Sequence, residues 1–207
     1  MDGEKRTALS EGIFPEDEPK VADDNSIMKV PVNRSGAVAN IYDWVHCLLI
    51  AVIAVVMILT FVFRMVNVDG DSMKDTLING DKVIVTELFY TPNDGDIVVI
   101  SHGQRYKEPI IKRVIATEGQ TLDIDFETGE VIVDGVVLQE DYINGQTIKG
   151  TSEIPRVIPD GKVFVMGDNR TVSLDSRYDE IGLIDEADII GKAQFVAFPF
   201  NHFGYLY

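Results

Sequence analysis

The stretch TLDIDFETGEVIVDGVVL, residues 121–138, divides into three short β-rich runs at 121–126, 130–133 and 136–138. Asp134-Gly135 lies between the last two, and a pair of this kind tolerates the positive φ of a two-residue hairpin turn. The same punctuation recurs outward in both directions. Asn79-Gly80 precedes a run at 82–85, Asp94-Gly95 precedes 96–100, and further runs follow at 110–117, 162–166 and 189–198. No long stretch after Phe63 carries the 3.6-residue period of a substantial helix. There is no internal repeat, no glycine-rich phosphate loop and no His-Glu-x-x-His. The soluble part is therefore expected to be mainly β, an antiparallel barrel-like or folded-sheet arrangement rather than alternating βαβ units.

Upstream, VHCLLIAVIAVVMILTFVF at residues 45–63 has no charged side chain in 19 positions. As a helix it extends about 28 Å, close to the hydrocarbon thickness of a bilayer, and it reads as one N-terminal transmembrane helix. A cleavable secretory signal has an apolar run of about 7–15 residues ending in a small-x-small site. Here the run is longer, follows a mixed-charge tail, and leads into Arg64-Met65-Val66-Asn67-Val68. Residues 1–40 hold acidic clusters, Pro15, Pro19 and Pro31 without a sustained apolar period, which suits a flexible tail. The expected division is a tail at 1–40, an anchor at 41–66 and a β-rich domain at 67–207. Lys29 and Arg34 on one side of the apolar run, against Arg64, Lys74 and Lys82 on the other, leave its orientation open.

The formal charge of −16 is uneven: residues 1–43 carry 5 basic and 9 acidic side chains, and residues 64–207 carry 13 and 25. An acidic domain repels phosphate backbones, so nucleic-acid binding is disfavoured. The one cysteine, Cys47, lies inside the apolar run and permits neither an intrachain disulfide nor a cysteine cluster for zinc. The core alone must hold the fold.

Gly70-Asp71-Ser72-Met73 and, further on, Lys112-Arg113 inside an apolar strand pattern suggest a serine nucleophile with a lysine base. A serine hydroxyl needs something to remove its proton. Of three histidines, His46 is in the apolar run, His202 is near the C-terminus, and His102 reads as a polar loop residue. A lysine at its reference pKa of about 10.4 is neutral in only a few molecules per ten thousand at pH 7, a deficit of roughly 4–5 kcal/mol. Burial in an apolar wall lowers that pKa. Strand alternation puts Ile110, Lys112, Val114 and Ala116 on one face, and Ile111, Arg113 and Ile115 on the other. Lys112 thus gains aliphatic neighbours. A lone lysine there would as readily snorkel to solvent. A third segment, Gly167-Asp168-Asn169-Arg170-Thr171-Val172-Ser173-Leu174-Asp175-Ser176-Arg177, gathers a dense polar cluster just after the strand-like Val163-Phe164-Val165-Met166.

These blocks, with Thr76-Leu77 and Gly95-Asp96-Ile97-Val98-Val99, stand in the order and rough spacing of the type I signal peptidases, which the chain resembles over nearly everything after residue 45. The separation between Lys112 and Gly167 is similar to that of the short, Gram-positive-type form. The resemblance implies a membrane-bound serine endopeptidase that removes signal peptides from secretory preproteins after small-x-small sites. It implies that Ser72 is the acylating nucleophile, Lys112 its general base, and Ser173 the hydroxyl that orients the lysine. Asp175 and Arg177 match a structural ion pair; Asp168, Asn169 and Arg170 match residues that shape the site. No cofactor or metal is implied. The bilayer and, by proximity, the secretion translocon are expected neighbours, with the catalytic domain on the extracytoplasmic face.

The chain departs from the family pattern at Asp75, where proline is common, and at Ala116-Thr117-Glu118-Gly119-Gln120 after the lysine strand. Gly70 offers no hydroxyl for an oxyanion, leaving backbone amides such as that of Ser72. A silent, membrane-tethered binding module of the same fold is the alternative that these changes keep open. A self-cleaving repressor-type Ser/Lys protease is disfavoured by the span. Phe195, Phe198, Phe200, Phe203, Tyr205 and Tyr207 read mainly as core or sheet packing, with a subset resting at the lipid headgroups as the lesser alternative.

Overall fold

The computed structural model describes residues 35–87, 90–101 and 106–206. Residues 1–34 of the expected tail, His102 and Tyr207 lie outside them.

Helix α1 spans Ser35–Val62, and its window Asn40–Thr60, 21 residues of mean hydropathy 2.3, is long and apolar enough to cross a membrane. It begins five positions before the expected tail ends and stops before the expected anchor does. Residues 63–66, the end of the expected anchor, instead open strand β1 (Phe63–Asn67), which pairs antiparallel with β2 (Lys82–Thr86) from Phe63↔Thr86 to Asn67↔Lys82. A short apolar run does not separate helix from strand. What decides here is that β2 has an edge to be paired.

Every β run expected from the sequence is present. The strands are β3 (Ile97–Ile100), β4 (Ile110–Ala116), β5 (Leu122–Ile124), β6 (Val131–Val133), β7 (Val136–Val137), β8 (Lys162–Met166), β9 (Ile184–Asp185), β10 (Ile189–Phe198) and β11 (Gly204–Tyr205). The main sheet runs β1-β2-β10-β3-β4-β8-β9, with β11 beside β10, and β5-β6-β7 form a second sheet. All named pairings are antiparallel. Register shifts within β10 and β4 bend the main sheet, as bulges do. The hairpin between β6 and β7 turns through Asp134 (φ 49°) and Gly135 (φ 79°), the paired positive φ values of a type I′ turn.

Alternate side chains feed different cores. Val83, Val85, Ile97, Val99, Ala193 and Val196 pack with Met73 and Leu77 from the loop after β1. Val98, Ile100, Val114, Val163 and Val165 form a second cluster, and the small sheet packs on Ile115, Phe164 and Met166. Ala116 joins Ile115 in that third cluster rather than sharing the face of Val114. The cause is the shift between Val114↔Val165 and Ala116↔Phe164, which ends the strict alternation assumed from sequence.

One expectation on apolar residues needs correction: Phe198, Phe200, Phe203 and Tyr205 are exposed rather than packed in a core, Phe198 at the end of β10, Phe200 and Phe203 in the turn that follows, and Tyr205 on the two-residue β11. Phe195 stacks obliquely on Phe203 and Tyr205 with centroids 5.9 and 6.0 Å away.

Candidate active site

Ser72 sits in the loop between β1 and β2, and three ties hold that loop. The Val68 N–H donates to Asp81 O (2.8 Å) and the Gly80 N–H to Val68 O (2.9 Å), closing its base. Met73 and Leu77, both fully buried, anchor its middle in the core. Asn169 spans Ser72 itself, its backbone N–H donating to Ser72 O and its Nδ2 to Asp71 O, each at 3.0 Å.

Lys112 comes from the middle of β4, opposite Val98 on β3. Its side chain is 4% exposed, and its Nζ lies 2.9 Å from Ser72 Oγ and 2.9 Å from Ile111 O. Burial drives the ammonium down to about 8, against the opposing attraction of the Asp175 and Asp168 carboxylates. Amine and hydroxyl stand within proton-transfer reach.

The segment after β8 packs three arginines against three carboxylates. Asp168 accepts from Arg113 Nε (2.9 Å) and Nη2 (2.7 Å) and from Thr76 Oγ1 (2.6 Å), so it ties β4 to the nucleophile loop. Arg113 also donates to Gly95 O and lies 3.9 Å from the Tyr142 ring centroid, stacked as guanidinium groups favour. Asp175 accepts from Arg177 Nε and Nη2 at 2.8 Å each and from the Gly167 N–H at 3.0 Å. Arg170 donates to Glu140 and Thr147, and Ser176 Oγ accepts from the Val165 N–H. Each ionic side chain is nearly dry, and the bidentate geometry offsets its desolvation.

Ser173 is also buried beside the site, but its Oγ makes no hydrogen bond among the described residues; Lys112 bonds to Ser72 and Ile111 instead. Ser173 Oγ and Ser72 O both press on Gly167, where a Cβ would collide with the two oxygens. Sequence reading missed this need for glycine, and it gave no role to Thr76, Glu140, Tyr142 or Asn144. The last three lie on an irregular strap without any period to mark it. Its Asn144 accepts the Arg170 N–H on its carbonyl, donates its own N–H to Asp168 O, and reaches Asp75 through Nδ2 (3.1 Å). Of the departures at 116–120, Ala116 ends β4 and the others form a turn in which Gln120 Oε1 accepts the Thr117 N–H; among the described residues none of them hydrogen-bonds to the Ser72 or Lys112 side chain.

A cleft of about 1030 Å³ opens over Ser72 and Lys112 between residues 66–74 and residues 106–112, with Val66, Val68, Val99 and Ile111 among its apolar lining.

The family model described as signal peptidase, peptidase S26, matches residues 41–198. The chain is 36% identical over 174 residues to signal peptidase I P of Bacillus subtilis subsp. natto, covering 79% of this chain and 92% of that one. It is 37% identical over 170 residues to probable signal peptidase I-1 of Synechocystis sp., covering 77% and 83%. A solved signal peptidase I from Enterococcus faecalis V583 aligns at 26% identity over 51% of this chain and 98% of that one, with a TM-score of 0.42. The chain belongs to the signal peptidase S26 family.

Proposed function

We propose that this protein is a membrane-anchored signal peptidase I that removes signal peptides from secretory preproteins. The observation that carries the mechanism is the 2.9 Å contact between Ser72 Oγ and a Lys112 amine that is 4% exposed. At a pKa of about 8, about one Lys112 in ten is neutral at pH 7, against a few per ten thousand for an exposed lysine.

An extended preprotein segment lies in the cleft alongside β1, adding to the free edge of the sheet and offering small side chains to its apolar lining. Neutral Lys112 takes the Ser72 proton as Ser72 Oγ attacks the scissile carbonyl. The Ser72 backbone N–H, which has no acceptor among the described residues, faces the developing oxyanion. Lys112 then protonates the leaving amine, and a water deprotonated by Lys112 hydrolyses the acyl-enzyme. Asn169 fixes the carbonyls of Asp71 and Ser72 while the Asp168–Arg113 and Asp175–Arg177 pairs hold the walls. Ser173, buried against Gly167, keeps the role that the resemblance implies, orienting the lysine.

Ser72 follows the end of α1 by ten residues, a reach of at most about 33–36 Å, so cleavage falls near the membrane surface. One span with the β domain on the extracytoplasmic face brings that site to where exported chains emerge, close to the translocon. Protease added outside sealed inverted vesicles should remove residues 1–34 and spare the β domain; the reverse pattern contradicts this topology.

The direct test is cleavage of a radiolabelled preprotein in liposomes by the wild type, Ser72→Ala and Lys112→Ala. Equal cleavage by all three rejects the dyad. Because the base must be neutral, kcat/KM is expected to rise about tenfold per pH unit up to pH 8 and then level off. A flat profile between pH 6 and 8, or one that climbs until about pH 10, contradicts a buried lysine base.

A further inference from the structure

Beyond residue 198, where the family match ends, the chain turns through Phe200–His202 and brings His202 back to the base of the nucleophile loop. Its Nδ1 lies 2.7 Å from Oδ2 of Asp81, a carboxylate 2% exposed. The same Oδ2 accepts the Ile78 N–H at 2.8 Å, and the Asp81 carbonyl accepts the Val68 N–H at 2.8 Å. Asn79, in the same turn, accepts the Gly70 N–H on Oδ1 at 3.2 Å. The turn at 78–81 is therefore tied at Val68 and Gly70 to the loop segment that leads into Ser72, and His202 is the side chain that caps its buried carboxylate.

We propose that His202 is a positioning residue for the nucleophile, acting through Asp81 from a C-terminal segment outside the family match. A buried carboxylate that loses a donor keeps its desolvation penalty, so Asp81 relaxes toward solvent when that donor is gone. The displacement passes through Asp81 O to Val68 and through Asn79 to Gly70, two residues before Ser72. Ser72 Oγ drifts from Lys112 Nζ, which lowers turnover, while the facing wall of the cleft at residues 106–112 stays in place.

The test uses the full chain in detergent with His202→Leu, which removes the donor, and His202→Asn, which returns an N–H near the position of Nδ1. Hydrogen exchange at Val68, Gly70 and Gly80 is expected to quicken about tenfold in His202→Leu and to return to the wild-type rate in His202→Asn. Amides of β8 should stay unchanged. Preprotein cleavage by His202→Leu is expected to lose about tenfold in kcat with KM within about twofold, and His202→Asn to recover most of it. Unchanged exchange at 68–80 overturns the proposal. So does equal acceleration in β8, which marks general loosening, or failure of asparagine to restore either readout. The proposal rests on the signal peptidase reading only for its kinetic arm. A wild type that cleaves no preprotein counts against that reading, while the exchange data still decide the role of His202.

Discussion

Lys112→Met is expected to yield a protein that cleaves no preprotein yet melts at a higher temperature than the wild type at pH 7. The amine sits at about 8 in the folded chain and at about 10.5 when unfolded. A lysine lowered in this way makes the unfolded state bind more protons between these values, so wild-type stability rises with pH through that window. Below about pH 8 the full penalty is present, roughly 3 kcal/mol for such a difference. Methionine fills a similar space without an ammonium to desolvate. The lost hydrogen bonds to Ser72 and Ile111, about 1 kcal/mol each, offset much of the gain. A net increase of about 1–2 kcal/mol therefore remains at pH 7 and fades toward pH 10. Activity is expected to fall at least about a thousandfold, as when a member of a catalytic set is removed. Ser72→Ala should match that loss without the thermal gain, because Ser72 carries no buried charge. Melting curves at pH 7 and 10 beside cleavage rates check both halves. If Lys112→Met melts lower than the wild type at pH 7, the amine is not held against its solvation.

The strands of this protein were legible because their punctuation is local. Asp134-Gly135 predicts a turn from two residues, and the observed φ values agree. What could not be read depends on partners far along the chain. Phe63–Asn67 is a strand because Lys82–Thr86 offers it an edge, and Ala116 changes face because β4 slips against Phe164. Neither cause is visible within a window of neighbouring residues. The two-residue strands β9 and β11 were missed for the same reason, since each is defined by its pairing alone.

At the site, the contact between Ser72 and Lys112 was easier to anticipate than what surrounds it. Ser72 and Lys112 stand out because their motifs are short and their chemistry is specific. The supporting contacts are mostly between backbone and side chain, such as Asn169 with Asp71 O and Asn144 with Asp168 O, and backbone groups leave no mark in a sequence. Arg113 shows the limit well. Alternation places it opposite Lys112, but only the fold reveals that the same strand sends one basic side chain to Ser72 and the next to Asp168.

That second cation sets the other large expected effect. Asp168→Ala removes the carboxylate that receives two hydrogen bonds from Arg113 and one from Thr76, at a place where Asp168 is 0% and Arg113 2% exposed. Breaking a buried pair on one side costs about 3–5 kcal/mol because the remaining charge keeps its desolvation penalty. For a domain with total stability of about 5–15 kcal/mol, a melting point lower by about 10–20 °C is expected. Removing both charges separates stability from placement. Asp168→Leu with Arg113→Met is expected to recover most of the melting temperature, since apolar groups of similar volume replace the pair with no ion left behind. It should not recover cleavage, because Thr76 then loses the acceptor that fastens the nucleophile loop to the turn carrying Asn169. If Asp168→Ala melts within about 3 °C of the wild type, the pair is not the buried bridge its geometry indicates. If the double variant regains cleavage together with stability, the bridge serves the fold alone, and the alignment of Ser72 with Lys112 must come from Asn169 and the base of the loop.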